Sequence, residues 1–84
     1  MIPAHTKAAL DRYVEHRLQP GGFLTAVLSN DLFGAVARAD SENRAALADI
    51  VAYIYNNIPS DAWGSRDTVW KWCESKFYDR VAEI

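Results

Sequence analysis

Cysteine is almost missing from this chain: Cys73 stands alone among 84 residues, which excludes an intramolecular disulfide and any multi-cysteine metal site. Histidine is nearly as scarce, since His5 and His16 are the only two. Neither has carboxylates or thiols at ligand spacing, whereas a zinc site needs three or four ligands. No metal or other cofactor is therefore expected. Charge of one sign is also missing: nine Lys and Arg stand against eleven Asp and Glu, for a formal net charge of -2. Such a balance offers no long-range attraction for phosphate backbones, so direct nucleic-acid binding is not expected. Finally, no apolar run approaches the roughly 18 consecutive residues of a membrane span, and the first residues lack the basic-then-apolar order of a secretory signal. The expectation is a cytoplasmic protein without membrane attachment.

What is present is ordinary globular composition, with 50% apolar and 24% charged residues. A chain of this length has room for one core, which makes residues 1–84 a single domain. Apolar residues recur at helical intervals. Leu10, Tyr13, Val14 and Leu18 share one face of a segment running from Ile2 to Gln19, which Pro20-Gly21-Gly22 ends. From Phe23 to Ala39, Leu32, Ala35, Val36 and Ala39 continue a helical period, while Ser29-Asn30-Asp31 interrupts it; the segment reads as two short helices or one bent one. Asp40 or Ser41 caps the next helix, whose stripe is Leu47, Ile50, Val51, Ile54 and Ile58 before the stop at Pro59. A connector from Ser60 to Ser65, with a single turn around Trp63, leads to a last helix capped by Ser65. Its stripe reads Trp70, Cys73, Phe77, Val81 and Ile84. The fold class is all-α, a compact irregular bundle of four to five short helices. Ten aromatics strengthen so small a core, and because seven lie from Tyr53 onward, the C-terminal half is expected to dominate it.

Catalytic groups do not assemble from this inventory, and no enzyme activity is expected. Cys73 lies on the apolar stripe, a setting that raises a thiol pKa and favours a structural role over a nucleophilic one. None of the serines sits in a glycine elbow. Pro20-Gly21-Gly22 precedes a helix, as phosphate-holding loops do, yet it lacks their lysine and follows a helix instead of a strand; a turn is the simpler reading. Asp11 with Glu15, and Asp79 with Glu83, are carboxylates one turn apart that nothing desolvates, so they read as wet helix surface. Asn56 and Asn57, beside Tyr53, read as a helix end ahead of Pro59.

Two sets of residues are candidates for binding. If Trp70, Cys73 and Phe77 point inward, Trp72 falls on the opposite side of the last helix, beside Lys71 and Lys76. Exposed there, it would anchor a protein partner, because aromatic side chains supply large contact area; the alternative is that a neighbouring helix covers it. The second set is Arg12, Tyr13, Arg38 and Arg44, with guanidinium groups and a ring of the kind that clamp the phosphate and base of a nucleotide signal between subunits.

The order of phrases Pro20-Gly21-Gly22-Phe23-Leu24-Thr25-Ala26-Val27-Leu28-Ser29-Asn30-Asp31-Leu32, then Arg38-Ala39-Asp40 with Asn43, Ile54-Tyr55-Asn56 with Pro59, and Trp63-Gly64-Ser65 resembles a set of small phage- and prophage-encoded proteins of unassigned function. The resemblance covers Pro20 through Ser65 and brings no site residues with it. It implies an accessory protein made in a bacterial host cytoplasm. By analogy with anti-CRISPR proteins, it also implies an inhibitor that occupies a surface of a host protein or ribonucleoprotein complex. Homo-oligomerisation, a nucleotide-sequestering role and a structural or accessory role in the phage particle are the alternatives.

Overall fold

The computed structural model describes residues 1–82, with side chains as far as residue 75. Among the described residues every regular element is helical: α1 (Ala4–His16), α2 (Gly22–Leu28), α3 (Leu32–Arg38), α4 (Ser41–Ala45), α5 (Leu47–Asn57), a single 3-10 turn (Ser60–Ala62) and α6 (Arg66–Ala82). The all-α bundle is as expected, with more breaks than expected.

Local chemistry explains most of those breaks. Pro3 stands at the N-cap of α1, where its missing N–H costs nothing and its carbonyl accepts from the Thr6 and Lys7 amides at 3.1 and 3.0 Å. The helix ends earlier than Pro20 requires. Arg17 turns left-handed (φ 55°) and its amide closes on the Tyr13 carbonyl at 3.0 Å, which leaves Leu18 outside the helix and 44% exposed. Between Phe23 and Ala39 the chain forms two helices. Asn30 takes φ 62°, and the Asp31 carboxylate accepts from the Gly34 amide at 3.0 Å, a fresh N-cap for α3. Asp40 caps α4 in the same way, through the Asn43 amide at 2.8 Å.

The segment expected as one helix from Asp40 to Ile58 is broken at the buried Ala46, whose φ and ψ are -99° and 6°. Ahead of the break Asn43 is buried against α1, its Oδ1 accepting from the Thr6 hydroxyl at 2.6 Å; after it Ile50 and Ile54 face the core. The connector is pinned by the Trp63 indole, which donates to the Ile58 carbonyl at 3.0 Å, and by the Gly64 amide, which donates to the Leu28 carbonyl at 2.7 Å. Gly64 sits at φ 122°, a conformation side chains rarely tolerate. Ser65 caps α6 through the Thr68 amide at 3.1 Å.

One cluster forms the core: Leu10 and Tyr13 of α1, Leu24 and Leu28 of α2, Ala46, Ile50, Ile54 and Ile58 around α5, Ala62 of the 3-10 turn, and Val69 of α6. Its largest fully buried side chains are Tyr13, Leu10, Leu28 and Ile50. Among the described residues six of the ten cluster members, from Ala46 to Val69, belong to the second half of the chain, while three of the four largest fully buried side chains come from the first 28 residues. Of the aromatics of the second half, Tyr53, Trp63 and Trp72 pack against this cluster, while Tyr55 and Trp70 are 71% and 65% exposed.

Candidate interaction surface

The last helix presents a different face from the one its spacing suggested. Val69 is buried, Trp72 and Cys73 pack against the core, and Trp70 points outward. Trp72 is held by α1. Its indole N–H donates to the Tyr13 carbonyl at 2.8 Å, its ring lies 6.2 Å from that of Tyr13, and the Arg17 guanidinium stacks 3.8 Å over its face. Arg17 also donates to the Trp72 carbonyl at 3.5 Å and to the Ser75 hydroxyl. Satisfying the indole nitrogen and capping the ring with a cation turns residue 72 inward and carries residue 70, two positions back at 100° per residue, to the outside. Of the two readings open for Trp72, exposed anchor or ring covered by a neighbouring helix, the covered one holds: it is a half-buried clasp on α1. Lys71 is exposed and paired with Asp67 at 3.0 Å; the side chains of Lys76, Phe77, Asp79, Val81, Glu83 and Ile84 lie outside the described residues.

The arginine and tyrosine set does not assemble around its aromatic member. Tyr13 is completely buried, and its hydroxyl donates to the Ala62 carbonyl at 2.6 Å. Burial pushes that hydroxyl well above the ordinary phenol value of 10.0; the nearby Cys73 adds to the shift and Arg17 opposes it. A ring so enclosed cannot stack on a ligand. Arg12 and Arg44 are exposed on α1 and α4. Arg38 donates back to the Gly34 carbonyl at 3.2 Å and, with Arg66, borders a shallow recess beside Pro20 and Gly22.

His5 and His16 are surface residues, each 63% exposed and near one carboxylate: Asp40 at 3.9 Å and Glu15 at 3.8 Å. Among the described residues no three His, Cys, Asp or Glu side chains converge, and no helix is long and apolar enough to cross a membrane. The Cys73 thiol is half-buried, and that burial raises its pKa, favouring the unreactive protonated form.

Among the described residues there is also an apolar surface that the sequence did not flag. Between α2, α3 and α5 lies an apolar hollow of about 320 Å³, walled by Val27, Leu28, Leu32, Ala35, Leu47, Val51, Ile54, Tyr55 and Trp63. Tyr55 and Trp63 meet at 5.8 Å between ring centroids and form one wall. Asp31 is the one carboxylate in the lining, and Arg66 holds it at 3.2 Å. Of the lining, Leu32 is 63% and Val51 48% exposed, and on α3 Phe33 and Val36 are exposed as well, at 88% and 39%.

This patch arises from a short helix with more apolar faces than it can bury. α3 has seven residues, of which only Ala35 is buried. Leu32 and Val36 share the helical period of Ala35 yet are exposed, and Phe33, two positions before Ala35, falls on its far side. Contiguous apolar exposure of this kind marks contact surfaces on soluble proteins. No known protein family matches the chain, and comparison with curated proteins and with solved structures finds no similar protein.

Proposed function

We propose that this protein acts by binding another macromolecule and blocking it, without chemistry of its own, and that the apolar face of α3 and α5 makes the contact. The observation that carries this reading is the apolar exposure of α3: Phe33 and Leu32 are 88% and 63% exposed, and Leu32 opens into a hollow walled by aliphatic and aromatic side chains. Exposed aromatic anchors next to apolar pockets are the features from which protein interfaces draw most of their energy. The resemblance to small phage proteins supplies the context, a host protein or ribonucleoprotein in a defence pathway such as CRISPR–Cas, inhibited by occlusion of its surface. A role as a nucleotide sequestrant has less support, because the ring of Tyr13 is enclosed in the core.

The test is affinity capture from a bacterial host lysate with the wild-type chain and with Phe33→Glu, at several salt concentrations. A stoichiometric partner retained by the wild type and lost by the variant is the expected result. Identical captures by the two proteins, or none by either, would refute a binding role for this face.

A further inference from the structure

Arg38 of α3 and Arg66 of α6 line one recess beside Pro20 and Gly22, and we propose that this recess binds a dianionic phosphate group on a small molecule or as the free ion. Its lining shares no residue with the apolar hollow, so the site stands apart from the reading of α3 and α5 as a protein contact.

The first turn of α3 holds both guanidinium groups. Asp31 accepts from the Gly34 amide at 3.0 Å through Oδ1 and from Arg66 at 3.2 Å through Oδ2, and the Gly34 carbonyl accepts from Arg38 at 3.2 Å. A guanidinium carries five N–H donors. One from each arginine is used on this turn, which orients the group and leaves further donors for a ligand. The absence of a side chain at Gly22 lets Arg38 into place: a Cβ there would stand 3.2 Å from its Cδ and 3.5 Å from its Nε. Arg38 therefore lies across the entry to α2.

Charge and shape select the ligand. The recess measures about 190 Å³, and among the described residues Arg38 and Arg66 are the only ionisable side chains in its lining. In the recess around Arg17 and Lys71, by contrast, Asp61 and Asp67 share the lining and balance the cations. Two guanidinium groups from separate elements match the two charges and several oxygens of a phosphate, whereas a carboxylate fills a single fork. Gln19 adds a neutral amide donor at the rim. The lining has no aromatic ring on which a base could stack, so phosphate is the part of a ligand that the recess reads. The one opposing charge nearby is Asp31, which lies outside the lining and holds Arg66.

Proton–nitrogen correlation NMR of the full chain, titrated with inorganic phosphate against chloride at constant ionic strength, tests the proposal. The expected result is a saturable, millimolar shift of the Gly22 amide and of the Arg38 and Arg66 Nε–H signals. Arg38→Gln and Arg66→Gln should each weaken binding about fivefold or more. Asp31→Asn, which keeps a capping oxygen and removes the opposing charge, should instead tighten it about twofold or more. Both arginines are exposed, so circular dichroism should show unchanged helix in their variants. Shifts that never saturate and extend equally to the exposed Arg12 and Arg44 would overturn the proposal, as would binding indifferent to Arg38→Gln or acetate that competes as well as phosphate. A nucleoside monophosphate separates the sources of the group. An ester that moves the same signals supports a site for phosphate carried on a small molecule; inorganic phosphate alone doing so supports a site for the free ion.

Discussion

Tyr13 and Phe33 are both aromatic residues on amphipathic helices, and the chain treats them in opposite ways. Around Tyr13 every polar group is answered: its hydroxyl reaches the Ala62 carbonyl, its carbonyl takes the Trp72 indole, and Arg17 covers the face of that indole. Around Phe33 its neighbours on α3, Leu32 and Val36, are exposed as well, and Leu32 leads into the apolar hollow. One region converts aromatic area into stability and the other leaves it exposed. In so small a domain the closed region must carry nearly all of the folding free energy, which frees the open one to vary.

The largest expected effect lies at the centre of the closed region. Leu28 and Ile50 are completely buried, so Leu28→Ala or Ile50→Ala should cost about 3 kcal/mol each, read by urea denaturation. For a domain with a thin margin, that loss is enough to leave a large unfolded fraction at growth temperature.

Tyr13→Phe should cost less, about 2 kcal/mol, because it keeps the ring and strips the Ala62 carbonyl of its buried donor. It also carries a pH signature. The folded state holds the Tyr13 proton more tightly than the unfolded chain does, so this contribution is complete below the ordinary phenol value of 10.0 and is lost progressively as pH rises beyond it. Denaturation midpoints measured on both sides of that pH should fall more steeply for the wild type than for Tyr13→Phe; equal slopes would contradict the assignment. Next in size is Asp31→Ala, at about 1 kcal/mol for the lost α3 cap. Asp31→Asn keeps a capping oxygen and sacrifices only the exposed Arg66 pair, so it should change stability by at most about 0.5 kcal/mol.

How far the sequence discloses this arrangement depends on the range of the interaction that decides each part. The breaks at Asp31, Asp40, Pro59 and Ser65 were legible because each is set by a side chain acting within three or four residues. The phase of α6 was not. Trp70 with Cys73, and Val69 with Trp72 and Cys73, both satisfy helical spacing, and the choice falls to a hydrogen bond from Trp72 to Tyr13, 59 positions away. Periodicity has no access to that partner. The break at Ala46 was hidden for a similar reason: alanine is the strongest helix former, and nothing local announces that Asn43 must turn toward Thr6. The open face was not legible either, because the helical period shared by Leu32, Ala35, Val36 and Ala39 does not say which of them a seven-residue helix can bury, and within α3 only Ala35 is buried.

The smallest expected effect on stability is the one that isolates the open region most sharply. Phe33 is 88% exposed, so Phe33→Ser removes a ring that folding scarcely buries, and the unfolding free energy of the monomer should shift by no more than about 0.5 kcal/mol. A denaturation curve at low protein concentration, where self-association contributes little, is the measurement. A loss approaching that of Leu28→Ala would mean that the ring is already covered within its own chain, erasing the distinction between the two regions. A negligible loss in dilute solution that grows with protein concentration would locate the role of Phe33 between chains, because only the wild type gains stability from a partner that binds the folded state.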